Sequence, residues 1–209
     1  MGKSLYFRTF ALAIRARMHI GLFFGSFNPV HTGHLVIANQ LVEYTNMEQV
    51  WFVVSPQNPL KPKAGMLNEY DRLYMVDLAI EGNHRFRSNN IEFALPKPSY
   101  TVDTLAYLAE KFPGHRFSLI MGADNLESLP KWKNHETILA HHHVYVYQRP
   151  GHAAPKAPEN FENSVTIVAF PQLDVSATYI RQCIKQGISI QYLVPDGVRQ
   201  YIEKMNLYK

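Results

Sequence analysis

The 209-residue sequence contains a single cysteine, Cys183, which excludes an intramolecular disulfide and suits a reducing compartment such as the cytoplasm. It has no apolar run near the ~18 residues that a membrane span requires, so no membrane association is expected. Low-complexity tracts, internal repeats and linker-like stretches are absent too, and the length suits one domain with a substantial core. There is no usable excess of charge either. The formal net charge is +4, but residues 1–17 hold Lys3, Arg8, Arg15 and Arg17 and no acid; setting them aside leaves 17 basic against 17 acidic residues. A formally neutral body argues against a nucleic-acid partner. The basic, acid-free leader fits a targeting segment or an extension upstream of a start at Met18. What remains is 46% hydrophobic and 18% charged, the composition of a globular protein.

One stretch organises the chain: Gly25-Ser26-Phe27-Asn28-Pro29-Val30-His31-Thr32-Gly33-His34. Before it, Met18 to Phe24 is short, apolar and β-rich, as a buried strand is. After it, Leu35, Ala38, Leu41 and Val42 recur at helical spacing up to Tyr44. The stretch is therefore a strand-to-helix turn. Gly25 permits a sharp turn, and Gly33 admits a ligand or another segment close to the backbone. His31 and His34, at a helix start, share one face. Together with free backbone N–H groups and the helix dipole they would face an anion. The competing reading is an ordinary βα turn with two incidental histidines.

Gln49 to Ser55 reads as a second buried strand, which completes a βαβ unit and implies a parallel sheet. The proline-rich loop after it ends in Lys61 and Lys63. Either these are solvated, or Lys61 places a cation beyond a strand's carboxyl end, where open α/β sheets bind ligands. Asn68 and Asp71 open a helix whose buried face is expected to be Leu73, Val76, Ala79 and Ile80, with Gly82 as its stop. Phe86-Arg87 and Ile91-Glu92-Phe93 are strand candidates around a Ser88–Asn90 turn. Thr101 is a candidate N-cap for a helix running to Phe112, whose first amides make a second possible anion site. His115 to Met121 is a strong strand, and Asp124, just beyond Gly122, is placed to accept bonds from ribose hydroxyls. Trp132, in a polar loop, fits either capping of the core or stacking on a planar ring. His141 to His143 enter the strand V-Y-V-Y-Q and read as surface or packing residues, because adjacent strand residues point to opposite faces and ligate a metal poorly together. Arg149-Pro150-Gly151 ends that strand. A prolyl loop from His152 to Asn163 and an apolar strand from Ser164 to Phe170 follow. Ser176 can cap a helix running to Gly187, with Arg181 reaching back toward its start; cap and guanidinium together suit a phosphate. Pro195 begins a last helix, to Met205. Cys183 reads as packing. Strands alternating with helices give a Rossmann-like, doubly wound parallel sheet.

G-S-F-N-P-V-H-T-G-H resembles the signature of the nucleotidyltransferases that share an H-x-G-H motif. The further blocks S-Y-T-V-D-T-L, I-M-G-A-D-N with its downstream Trp, R-P-G, V-S-A-T-Y-I-R and the tail Y-L-V-P-D-G-V-R-Q-Y-I resemble, in order, those of bacterial nicotinate-nucleotide adenylyltransferases. The resemblance starts at Met18, which favours an extended leader and a domain over 18–209. It departs from the family at Ala177, where serine is usual, and in the proline loop around Lys61, where the family commonly carries P-P-H-K. The resemblance implies transfer of AMP from ATP to nicotinate mononucleotide, with Mg²⁺ carried on ATP phosphates and no metal site of the protein's own. It implies that Gly25, Ser26, Phe27, Gly33, Gly122, Asp124, Ser176 and Thr178 contact ATP and that His31, His34 and Arg181 carry the catalysis. Tyr100, Thr101, Trp132 and Lys61 would meet the mononucleotide. The nucleophile would be a phosphate oxygen, already anionic, so the reaction needs alignment and charge neutralisation rather than a general base or a covalent intermediate. Nicotinamide mononucleotide or another phosphate acceptor is the alternative substrate, and a non-catalytic nucleotide-binding module the alternative class. Whether the chain forms a homo-oligomer is left open.

Overall fold

The computed structural model describes residues 17–57, 65–148, 156–171 and 173–209. Most of the basic leader, Lys61, Lys63 and the Arg149-Pro150-Gly151 segment lie outside these residues. The strands are β1 (His19–Gly25), β2 (Gln49–Val54), β3 (Phe86–Asn89), β4 (Arg116–Gly122), β5 (Val144–Tyr147) and β6 (Val165–Val168). The helices are α1 (Thr32–Tyr44), α2 (Glu69–Ile80), α3 (Thr101–Lys111), α4 (Ala123–Ser128), α5 (His135–His141), α6 (Ala177–Lys185) and α7 (Asp196–Lys204). All strand pairs are parallel, in the order β3-β2-β1-β4-β5-β6. The order reverses between β1 and β4, and ligands of such sheets bind beyond the strands' carboxyl ends at that point.

The central strands are apolar at nearly every position because both faces are covered. On one face Phe23, Val50, Phe52, Val54, Ile120, Tyr145 and Tyr147 pack under α1, α2, α6 and α7. On the other, Ile20, Leu22, Trp51, Val53, Leu119, Met121, Val144 and Val146 pack under α3, α4 and α5. Cys183 is buried in the first of these layers. Among the described residues no helix is long and apolar enough to cross a membrane.

Several expected elements change. β3 runs through Ser88 and Asn89, while Ile91–Ala94 is a 3₁₀ turn and not a strand. The Asn89 carboxamide captures the Ile91 amide at 2.8 Å and turns the chain. The fully buried residues of α2 are Arg72, Met75 and Val76, with Leu73, Ala79 and Ile80 half-buried beside them. Tyr100, not Thr101, is the N-cap of α3, and it has no side-chain cap. His141 belongs to α5, so the three histidines leave a helix rather than enter a strand: the His142 ring meets the Phe117 carbonyl at 3.1 Å and the His143 ring meets the Thr166 hydroxyl at 2.7 Å. Asn68 and Ser176 cap α2 and α6 as expected, accepting the amides of Asp71 at 2.9 Å and Tyr179 at 3.2 Å. Pro195 is the N-cap of α7, one position before the first turn.

Candidate active site

The G-S-F-N-P-V-H-T-G-H stretch leaves β1 at the reversal point. Its sharp bend falls at Phe27, whose φ is +45°, not at Gly25. Gly25 instead makes room for Phe27: a Cβ there would lie 2.8 Å from the ring. The buried Phe27 ring stands edge-on to Phe23, lies tilted against Phe52 and supports His34, with ring centroids 5.1 Å apart. The Asn28–Pro29 peptide is cis.

His31 and His34 occupy the N-cap and third positions of α1, and the His34 side chain reaches back to the N-cap amide. Their rings stack with centroids 3.7 Å apart. The Nδ1 atom of His34 accepts the His31 amide at 3.2 Å, which leaves the ring's proton on Nε2 as a donor. Gly33 lies under the His31 ring: a Cβ would meet its Nδ1 at 3.0 Å and the Leu173 carbonyl at 3.6 Å. The close approach that the glycine admits is thus made by the protein's own ring and by the segment leading into α6. The expectation of free turn amides needs correction. The amide of His31 is held by the His34 ring, that of Thr32 by the Leu193 carbonyl at 2.9 Å, and that of His34 by the His31 carbonyl at 2.9 Å.

Arg181 reaches back from α6, as its spacing suggests. It donates to the Thr178 hydroxyl at 3.3 Å and to the Asn28 carbonyl at 2.8 Å. The guanidinium is thereby seated on the turn that presents the two histidines. Gly122 and Asp124 stand on the other side of the reversal point. β1 and β4 pair Phe23 with Ile120, and two residues beyond that pair the strands end at Gly25 and Gly122. Asp124 is half-buried in the first turn of α4.

Tyr100, Thr101 and Trp132 form a second group. Lys133, next to Trp132, pairs with Asp103 of α3 at 2.9 Å and lies 4.9 Å from the Tyr100 ring centroid, so the two segments adjoin. Trp132 packs on the apolar layer beneath α3–α5, and its buried Nε1 has no hydrogen-bond partner among the described residues. Beneath this group Glu92 is almost wholly buried. Ser99 and Thr104 donate to its carboxyl at 3.1 and 3.0 Å, and burial holds its pKa above the usual carboxylate value.

Sequence reasoning missed the supporting residues. Arg72 is fully buried and donates to four backbone carbonyls, those of Leu67, Ser26, Ser55 and Pro56, at 2.6–3.3 Å. It joins the ends of β1 and β2 to the start of α2. The signal was present: Arg72 lies at helical spacing from Met75 and Val76, on the buried stripe. Asn28, inside the recognised stretch, carried no assigned role, and Tyr208 carried none either.

Residues 22–183 match the family described as cytidylyltransferase-like. A protein of Cytophaga hutchinsonii curated as "Probable nicotinate-nucleotide adenylyltransferase" is 52% identical over 191 residues, 91% of this chain and 98% of that protein. Counterparts of the same name from Flavobacterium johnsoniae and Bacteroides thetaiotaomicron are 48% and 41% identical, covering 92% and 90% of this chain and 100% and 92% of their own. Among solved structures, Plasmodium falciparum nicotinic acid mononucleotide adenylyltransferase complexed with NaAD has the same fold, with a TM-score of 0.76 at 18% identity over 92% of this chain and 98% of that one.

Proposed function

The chain belongs to the nicotinate-nucleotide adenylyltransferase family, and from that premise we propose that the β1–α1 turn and the start of α6 bind ATP for attack by nicotinate mononucleotide. The reaction transfers the adenylyl group of ATP to the mononucleotide, releases pyrophosphate and forms the deamido dinucleotide on the route to NAD. One observation carries the residue assignment. Two stacked imidazoles and a guanidinium, from positions 150 residues apart, are built on a single turn at the reversal point of the sheet.

The mononucleotide phosphate oxygen attacks the α-phosphorus of ATP as the bond to the pyrophosphate oxygen breaks. No proton need be removed from the nucleophile. The protein's task is to align the two phosphates and neutralise the charge that gathers on the leaving group. His34 offers Nε2–H toward the triphosphate, and His31, stacked on it, fixes its plane. Arg181 takes charge on the departing pyrophosphate, with Ser176 and Thr178 beside it at the start of α6. Ser26 and Phe27 shape the floor of the turn. Gly122 and Asp124 accept the ribose hydroxyls from the far side of the reversal point.

A divalent cation, Mg²⁺, brought in with the nucleotide would supply further charge neutralisation at the phosphates. Among the described residues no three His, Cys, Asp or Glu side chains are placed to hold an ion. The nicotinate ring would lie between Trp132 and the start of α3, where helix amides favour a carboxylate over a carboxamide. The adjacency of the two segments through Lys133 supports that placement.

The deciding experiment is pyrophosphate release with ATP and Mg²⁺ on adding nicotinate mononucleotide, nicotinamide mononucleotide or phosphopantetheine in turn. Selective turnover of the first is expected. Equal rates with nicotinamide mononucleotide would overturn the base assignment, and silence with all three would overturn the enzymatic reading. Replacing His34 with Ala should lower kcat/KM by about 10²-fold or more, the loss expected for one anion-stabilising donor. Near-normal turnover would remove His34 from the mechanism.

A further inference from the structure

The segment after α7 turns back through Asn206 and Tyr208, two non-glycine residues with φ of +50° and +66°. Such conformations persist where the surroundings fix them. Here they are fixed by the Leu207 amide bonding to the Ile202 carbonyl at 3.0 Å and by Leu207 and Tyr208 packing on the layer beneath α1, α2, α6 and α7. The Tyr208 hydroxyl ends on the turn 180 residues earlier, donating to the Asn28 side-chain oxygen at 2.9 Å.

Asn28 is buried, and both ends of its side chain are in use. Its Oδ1 accepts from Tyr208 and, at 3.3 Å, from the Leu67 amide, while its Nδ2 donates to the Gly65 carbonyl at 3.0 Å. Its own carbonyl is the acceptor that seats Arg181. We propose that Tyr208 is a positioning residue for adenylyl transfer: by holding the Asn28 side chain it sets the carbonyl on which Arg181 rests. The proposal builds on the assignment of Arg181 above. Arg181 and Arg72 both lie near enough to draw the Tyr208 ionisation downward, yet burial outweighs them, and the phenol stays a donor at neutral pH.

Tyr208→Phe keeps the ring and removes the hydroxyl. Asn28 then keeps one longer bond at Oδ1, and Arg181 loses its fixed seat. The expected result in the full-length protein is about a tenfold fall in kcat/KM for ATP, the scale of a sub-ångström misplacement, with KM for the mononucleotide unchanged. Tyr201→Phe is the control. It removes the 2.7 Å bond to Asp71 by which α7 docks on α2 and should leave kcat/KM unaltered. In an Arg181→Ala background Tyr208→Phe should cost nothing further, since coupling through Arg181 is then already lost. Wild-type kinetics for Tyr208→Phe, or the same fractional loss in both backgrounds, overturns the proposal. Turnover by the parent protein tests the enzymatic reading separately. Should the parent be inert, calorimetric binding of ATP–Mg²⁺ to the same proteins must show the same pattern, weakened by Tyr208→Phe only where Arg181 is intact, or the proposal fails.

Discussion

Gly33→Ala separates the site's geometry from the fold's stability. Gly33 is the second residue of α1 and has no left-handed φ, so the backbone itself accepts alanine. Alanine adds up to about 1 kcal/mol of helix stability inside a helix and less in a first turn. Against that, the new methyl would lie 3.0 Å from His31 Nδ1 and 3.2 Å from its Cε1, tighter than ordinary van der Waals contact. The Leu173 backbone carbonyl at 3.6 Å limits escape on the other side. The imidazole is the part that yields, by a few tenths of an ångström, and its stacking at 3.7 Å passes the shift to His34. The two stability effects nearly cancel, so unfolding in urea should change by about 1 kcal/mol or less. Activity should not be spared. A 1 Å misplacement of a catalytic group costs on the order of 10²-fold, so a shift of this size should cost about tenfold, or ~1.4 kcal/mol of transition-state binding. Pyrophosphate release and urea unfolding on the same preparation decide it. A variant as active as its parent, or one that loses more than about 3 kcal/mol of stability, would refute this account of why position 33 is glycine.

Arg72→Met leaves the carbonyls of Ser26, Leu67, Ser55 and Pro56 without their donor and should cost about 3–5 kcal/mol; a loss under about 1 kcal/mol in urea unfolding would show that water replaces the guanidinium. Glu92 titrates above the usual carboxylate value of 4.5 because it is buried, so its contribution is fullest below that pH and is lost as pH rises through the folded pKa. Glu92→Gln keeps a group for Ser99 and Thr104 to bond and cannot ionise, so its stability relative to the parent should improve from pH 5 to pH 8; a relative decline would contradict the assignment. His19, His142 and His143 titrate below the usual 6.5, chiefly through burial, with Arg116 the next cause for His19 and His143. The unfolded chain therefore takes up protons first, and stability present above pH 6.5 is lost as pH falls through the lower folded values. Arg116→Gln should flatten that acid limb in denaturation at pH 5 to 7, and a steeper limb would refute the coupling.

What could be read from the residues divides along a physical line. The central strands announce themselves because burial on both faces demands apolar side chains at every step, as in Val50 to Val54. β3 shows only in part, at Phe86-Arg87, because an edge strand pairs through its backbone and tolerates polar residues such as Ser88 and Asn89. Ile91-Glu92-Phe93 looked like a strand by composition, yet one carboxamide bond from Asn89 and three hydroxyl partners for Glu92, from Ser55, Thr104 and Ser99, turn it. α5 is seven residues with two buried side chains, too short for periodicity to mark it. The same division runs through the site. The meeting of His31, His34 and Arg181 at one turn was legible because their neighbours in sequence mark the turn and the helix start. Their supports act on backbone carbonyls: Arg72 on four of them, Arg181 itself on that of Asn28. A carbonyl is common to every residue, so nothing in the letters shows which one a buried cation will meet. The polar residue standing on an apolar stripe, as Arg72 does beside Met75 and Val76, is the trace such a contact leaves. It marks the donor, and the acceptors appear only when three separated segments are folded together around it.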